Sequence, residues 1–267
     1  MAWGTKGSDN ICKFVVQREN MRYFIELAYQ GTAYSGWQRQ PNAMSVQQRV
    51  EEALSTLLKS QISIVGAGRT DAGVHARQMF AHTQIDAAFD PNGLTDRLNS
   101  FLPQDIAIER IFPVPDQAHA RFDATARTYE YWVCLGKKPF LNDRAYALFK
   151  APNFDLMNQV ALTMLEHQDF ECFSKSKTDV ATYLCQVTHA QWTQRGDVWV
   201  FTIRADRFLR NMVRAVVGTL LEVGFEKMDA EGFQKVLASK NRSAAGPSVP
   251  GHALYLSKID YSEGIVP

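Results

Sequence analysis

Apolar and polar residues alternate from Arg22 to Tyr29 around Tyr23, Ile25 and Leu27, the period-two pattern of a half-buried strand. From Ser45 to Lys59 the period lengthens. Val46, Val50, Ala53, Leu54, Leu57 and Leu58 fall on one helical face, and Ser45 followed by Gln48 makes a capping box. Ile62 to Val65 reads as a short strand entering the glycine-rich stretch Gly66 to Gly73, and Met79 to Ile85 as a return strand. That loop therefore joins strand to strand. Asn92 to Phe101 reads as a short helix and Ile106 to Phe112 as a strand.

Pro113 and Pro115 then punctuate the chain without donating backbone hydrogen bonds, which places a boundary there. Beyond it the pattern predicts strand Ala126 to Leu135, helix Phe154 to Glu166 and a hairpin of Leu184 to Thr193 with Val198 to Arg204. Helix Phe208 to Val223, a last helix near Asp229 to Ser239 and strand Leu254 to Ile259 follow. There is no steady strand-helix-strand beat, so the expected fold class is α+β with a mainly antiparallel sheet. Residues 21–113 and 114–267 form two α/β halves on this reading, and residues 1–20 an appendage without chemistry.

Composition narrows the classes. The 267 residues suit one elaborated domain or two modest ones at roughly 150 residues each. With 46% apolar and 21% charged residues, the chain reads as globular rather than disordered or fibrous. The four cysteines (Cys12, Cys134, Cys172, Cys185) include no CxxC pair, and no secretory apolar core opens the chain, so a reducing cytosol is the expected setting. The apolar run Met212 to Phe225 is broken by Arg214 and Glu222 and falls short of the ~18–20 residues of a membrane span. A net charge of +1 means that a nucleic-acid partner would have to be held by a local basic face.

The most informative stretch is Gly66-Ala67-Gly68-Arg69-Thr70-Asp71-Ala72-Gly73-Val74-His75-Ala76. It lacks the Lys-Ser/Thr end of a phosphate loop, and Asp71 stands where a dinucleotide fingerprint needs glycine. Three glycines and three alanines let the backbone turn tightly and let a bulky substrate approach Asp71. Two readings stay open: a presented carboxylate, or an Asx-type turn in which Asp71 caps its own backbone. Metal binding by Asp71 with His75 is disfavoured, because no further ligand lies at a recognisable spacing. His82, His119, His167, His189 and His252 form no ligand spacing either.

Gly68 to Ala76 resembles the catalytic motif of the tRNA pseudouridine synthase A family. The resemblance continues in Tyr29 to Gln38 (Tyr-x-Gly-x-x-Tyr-x-Gly-Trp-Gln), Ala120 to Ala124, Arg127-Thr128-Tyr129-Glu130-Tyr131 and Phe208-Leu209-x-x-Met212-Val213-Arg214, and spans about Met21 to Tyr261. One departure is Ala253, where the family usually has glycine before Leu254, which bears on the local backbone angle. The resemblance implies the pseudouridine synthase fold with a central catalytic cleft, uridine isomerisation in the tRNA anticodon stem-loop, no cofactor or metal, and a homodimer. It also implies Asp71 as the catalytic carboxylate, Arg214 as its cationic partner, Tyr129 as the stacking ring and Arg69 as a residue that holds the target nucleotide out of the helix.

Chemistry is consistent with those roles. The reaction breaks C1′–N1 and rejoins C1′ to C5, losing no atom, and one carboxylate serves it either as a nucleophile or by moving a proton from C2′. A glycoside hydrolase would need a second acid and an activated water. An arginine within about 4–6 Å keeps a desolvated carboxylate charged. Arg207, Arg210 and Arg214, spaced by three and four, are expected to share a helix face, with a solvated face as the ordinary alternative. Tyr129 could also be a core tyrosine, Arg69 a surface arginine bonded to loop carbonyls, and Leu254 either a floor for the base or an ordinary strand leucine. Arg121 to Lys138, including Arg127 and interleaved with Phe122, Tyr129, Tyr131 and Trp132, reads with Lys175 and Lys177 as a phosphate-binding surface. A tRNA-binding module without turnover and a nucleoside hydrolase are the competing functions.

Overall fold

The computed structural model describes residues 21–175 and 181–267, so the expectations for residues 1–20 and Lys177 lie outside the described residues. Strand β1 (Met21–Tyr29) lies between β3 (His75–Ile85) and β4 (Ile106–Pro113), antiparallel to both. Between these strands in sequence come helix α1 (Val46–Leu58), the two-residue strand β2 (Val65–Gly66) and helix α2 (Pro91–Phe101). Only half of the expected capping box forms. Ser45 accepts from the Gln48 N–H at 3.2 Å, but the Gln48 side chain turns to Glu52 at 2.8 Å.

The later elements are β5 (Ala124–Leu135), β6 (Tyr146–Leu148), α3 (Phe154–Leu162), β7 (Val187–Arg195) and β8 (Val198–Ala205). Helices α4 (Met212–Gly224) and α5 (Ala230–Ser239) and strand β9 (Leu254–Tyr261) complete the order. The fold class is α+β. A nine-stranded sheet runs β4-β1-β3-β9-β5-β8-β7, with β2 on β3 and β6 on β5, and every pairing is antiparallel except β3–β9 and β5–β6. Two expected elements are shortened. Helix α3 passes into a 3-10 turn from Thr163 to Glu166, and α4 starts four residues after the expected Phe208.

One core cluster includes Ile25, Leu27, Val50, Leu54, Leu94 and Leu98; another includes Tyr131, Met157, Trp192, Val216, Leu220 and Phe233. The β3–β9 pairing that joins the strands is only two residue pairs long, His75 with Tyr255 and Ala76 with Leu256. Register then aligns one row across the sheet: Tyr29 opposite Ala76, Ala76 opposite Leu256, Leu256 opposite Tyr129. Two tyrosines from distant parts of the sequence thereby lie on the same line as the start of β3. Cys134, Cys172 and Cys185 are free and buried.

The segment after β4 is fastened to the sheet by a histidine. His82 on β3 accepts from the Ala120 N–H at 3.1 Å and meets the His119 ring edge-on at 4.5 Å. Burial, then the neighbouring His119 and Arg22, pushes His82 down to about 4. Between pH 6.5 and 4 the unfolded chain takes up a proton that folded His82 refuses. Stability therefore falls as pH drops through that window, by on the order of 1–3 kcal/mol. His82→Asn, which keeps an acceptor for Ala120, should flatten the slope of unfolding free energy between pH 7 and 4.5 in denaturant titrations.

Candidate active site

The segment Tyr29 to Trp37 acts as a mould for the Asp71 loop. A Cβ on Gly31 would sit 1.9 Å from the Val74 carbonyl oxygen, and one on Gly36 2.2 Å from that of Thr70. Both glycines are needed because backbone meets backbone there. The Trp37 N–H donates to Thr70 O at 3.3 Å, the Gly73 N–H to Tyr34 O at 3.2 Å, and the Tyr29 and Thr70 hydroxyls share a bond of 2.9 Å. The Trp37 ring stacks on Tyr29 and fills the space a side chain at Gly66 would need. On the other side, His75 accepts from the Gly31 N–H at 3.1 Å and donates to the His252 carbonyl at 2.8 Å. Burial keeps this imidazole neutral by lowering its pKa. Both ring nitrogens of His75 thus serve to hold the loop.

The Asx-turn reading of Asp71 is not what forms. Among the described residues, the carboxylate's side-chain partners are arginines. Arg214 Nη1 lies 3.3 Å from Oδ2 and Arg210 Nε 3.9 Å from Oδ1. Arg214 is the stronger partner: its side chain is 23% exposed against 57% for Arg210, and its Nε donates to the Val249 carbonyl at 2.7 Å. An exposed contact at 3.9 Å is screened and contributes little.

The expected basic helix face is corrected here. Arg207 and Arg210 precede α4, because Asn211 adopts a left-handed conformation (φ 68°) that ends the preceding turn and starts the helix. Helix α4 is buried nearly all round, with only Arg214 and Glu222 not buried. Arg210 reaches Asp71 from a loop, and Arg207 makes no contact with it. Arg204 is neutralised by Asp260 at 3.2 Å.

Tyr129 packs against both core clusters and meets Phe208 edge-on at 5.1 Å. Burial, opposed by Arg127 and reinforced by the charge of Asp71, pushes its hydroxyl up to about 12, so it stays protonated at neutral pH. An ion-paired carboxylate, a protonated tyrosine and a rigid glycine loop are thus gathered at the junction of β3, β5 and the start of α4.

Comparison with known proteins decides the family. A tRNA pseudouridine synthase family model matches residues 27–123 and 165–262. The chain belongs to the tRNA pseudouridine synthase family. It is 53% identical over 250 residues to tRNA pseudouridine synthase A of Parabacteroides distasonis, covering 92% of this chain and 98% of that one. It is 52% identical to the protein of the same name from Bacteroides thetaiotaomicron, over 91% of this chain and 92% of that one.

The remaining family-motif residues divide into exposed and inward-turned groups. Arg69 is exposed and has no hydrogen-bond or ion-pair partner among the described residues, so the reading that tied it to loop carbonyls fails. Arg121 is also exposed, its guanidinium 5.6 Å from the Phe122 ring. Arg127 is turned inward and donates to the carbonyls of Ala67, Arg121, Ala124 and Asp206, which makes it a clamp between loops rather than a free phosphate ligand. Leu254 is 6% exposed in the second core, opposite Tyr131. Tyr131 is buried and donates to Pro250 O, and Trp132 bonds Glu130, so the aromatic interleaving of this segment is mostly internal. Ala253 carries no positive φ; it lies buried in a short 3-10 turn, Gly251–Ala253, where alanine fits.

Tyr29, Thr70 and Phe208 carry no role on the sequence reading, although all three stand in the quoted motifs. Gly36→Ala combines a clash at 2.2 Å with a backbone angle of +92°. It should displace Thr70 and Asp71, reducing kcat at least about 10-fold, the cost of a misplacement near 1 Å being up to ~10². Steady-state kinetics beside a thermal melt would check this.

Proposed function

We propose that the protein isomerises uridine to pseudouridine at positions 38, 39 and 40 of the tRNA anticodon stem-loop, with Asp71 as the catalytic carboxylate. The observation that carries this reading is the Asp71–Arg214 contact of 3.3 Å beside Tyr129. A charged acid next to an aromatic ring is what an extruded pyrimidine requires: the ring repays the lost stacking and the acid meets the nucleoside. Asp71 acts either by adding to the substrate or by moving the C2′ proton; both routes need it deprotonated. Tyr129 stacks on the uracil, and its protonated hydroxyl is a donor.

Arg69 holds the nucleotide out of the helix, and Arg210, Arg207 and Arg121 meet the RNA backbone. Arg127 acts by holding the loops that carry them, and Leu254 supports the base pocket from behind. The enzyme works as a cytoplasmic homodimer with tRNA crossing both subunits and without a cofactor. No helix among the described residues is long and apolar enough to cross a membrane. The two-acid chemistry of a glycoside hydrolase is disfavoured because the charged contacts of Asp71 are both arginines.

The test is chemical mapping of pseudouridine in unmodified tRNA after incubation with wild type and with Asp71→Ala. The variant should lose at least ~10²–10⁴-fold in rate, the scale of a positioned acid–base group; retained activity would discard the mechanism. Wild type that binds tRNA without turnover would indicate a binding module, and release of free uracil a hydrolase. Arg214→Ala should cost on the order of 10²-fold by leaving the acid unpaired. Tyr129→Phe should keep KM near wild type while lowering kcat, whereas Tyr129→Leu should impair both.

A further inference from the structure

Phe122 is 73% exposed, yet it sits on a turn held by several hydrogen bonds. The Asp123 N–H donates to His119 O at 3.1 Å, and the His119 N–H to the Asp123 carboxylate at 2.7 Å. The N–H groups of Arg121 and Phe122 both donate to His119 Nδ1, at 3.1 and 3.3 Å. Flanking carbonyls are held as well: Ala118 O accepts from Arg22 at 3.0 Å and Ala120 O from the Tyr261 hydroxyl at 2.6 Å. The Phe122 ring itself rests on His119 at 4.2 Å. Its exposure is therefore built into the turn.

The same turn is coupled to the catalytic loop. Arg127 Nη2 donates both to Arg121 O at 2.6 Å and to Ala67 O at 3.3 Å, so one nitrogen joins the residue before Phe122 to a residue four before Asp71. Arg69 and Arg121, which extend from these two segments, are exposed cations without an acidic or carbonyl partner among the described residues. A solvent-facing ring with the Arg121 guanidinium 5.6 Å away, tied through Arg127 to the loop that carries exposed Arg69, matches the stacking platform of single-stranded nucleic-acid sites, where the ring takes a base face and the cations take phosphates. Phe101, Phe140 and Phe149 are exposed as well, and what distinguishes Phe122 is the bonded turn beneath it and the link through Arg127 to the Asp71 loop.

We propose that Phe122 stacks on a second, unpaired base of the tRNA stem-loop near the extruded uridine, and so positions the substrate for Asp71. This rests on the functional reading above. Because the ring is exposed, Phe122→Ala should fold with an unchanged thermal midpoint while binding tRNA about 5- to 150-fold more weakly, the range for loss of one base–aromatic stack. Phe122→Trp should restore affinity, whereas Phe122→Leu, apolar but without a π face, should not. With p-benzoylphenylalanine at position 122, irradiation should crosslink the protein to the anticodon stem-loop. Wild-type affinity in Phe122→Ala, equal rescue by leucine, or a crosslink elsewhere on the tRNA would overturn the proposal. If wild type forms pseudouridine and Asp71→Ala does not, any of those results removes the Phe122 role alone; absence of pseudouridine with wild type removes the functional reading itself.

Discussion

The ion pair between Asp71 and Arg214 is the interaction on which the rest of the structure depends. Neither side chain could be held half-buried without the other, since a desolvated charge with no partner costs several kcal/mol. The two residues are 143 positions apart and come from a loop and a helix that share no local pattern. Most of what surrounds them fixes that meeting. Glycines at 31 and 36 let one backbone press on another, and a helix buried nearly all round leaves Arg214 only one direction to face.

Sheet register does the remaining alignment. Because β9 lies between β3 and β5, the row from Tyr29 through Ala76 and Leu256 to Tyr129 is set by main-chain pairing rather than by side-chain fit. His75, bonded at both nitrogens, keeps the loop from slipping along the row. The site is rigid because backbone amides and carbonyls, which must be satisfied in any case, carry the positioning.

Much of this was legible in the sequence, for physical reasons. Periodicity reports burial of one face, so β1, α1, α2 and the β7–β8 hairpin stand close to where alternation places them. The Asp71, Tyr129 and Arg214 assignments came from motif resemblance, and the structure brings those three together. What failed was information that periodicity does not carry. The left-handed Asn211 removes Arg207 and Arg210 from the helix although their spacing suits it. The start of β3 at His75 depends on β9, far along the chain, and β6 depends on a parallel pairing with β5 only three residue pairs long. Arg127 looked like a phosphate ligand because its charge is visible in the sequence and its four carbonyl partners are not.

Strand β9 is the last of the described elements to emerge during synthesis, yet it sits in the middle of the sheet, bridging β3 and β5. A nascent chain still lacking residues 254–261 has Asp71 and Tyr129 on pieces with no strand between them. Competence for chemistry therefore arrives in one late step rather than growing with chain length, and a ribosome that stalls before that point releases a product with no assembled centre.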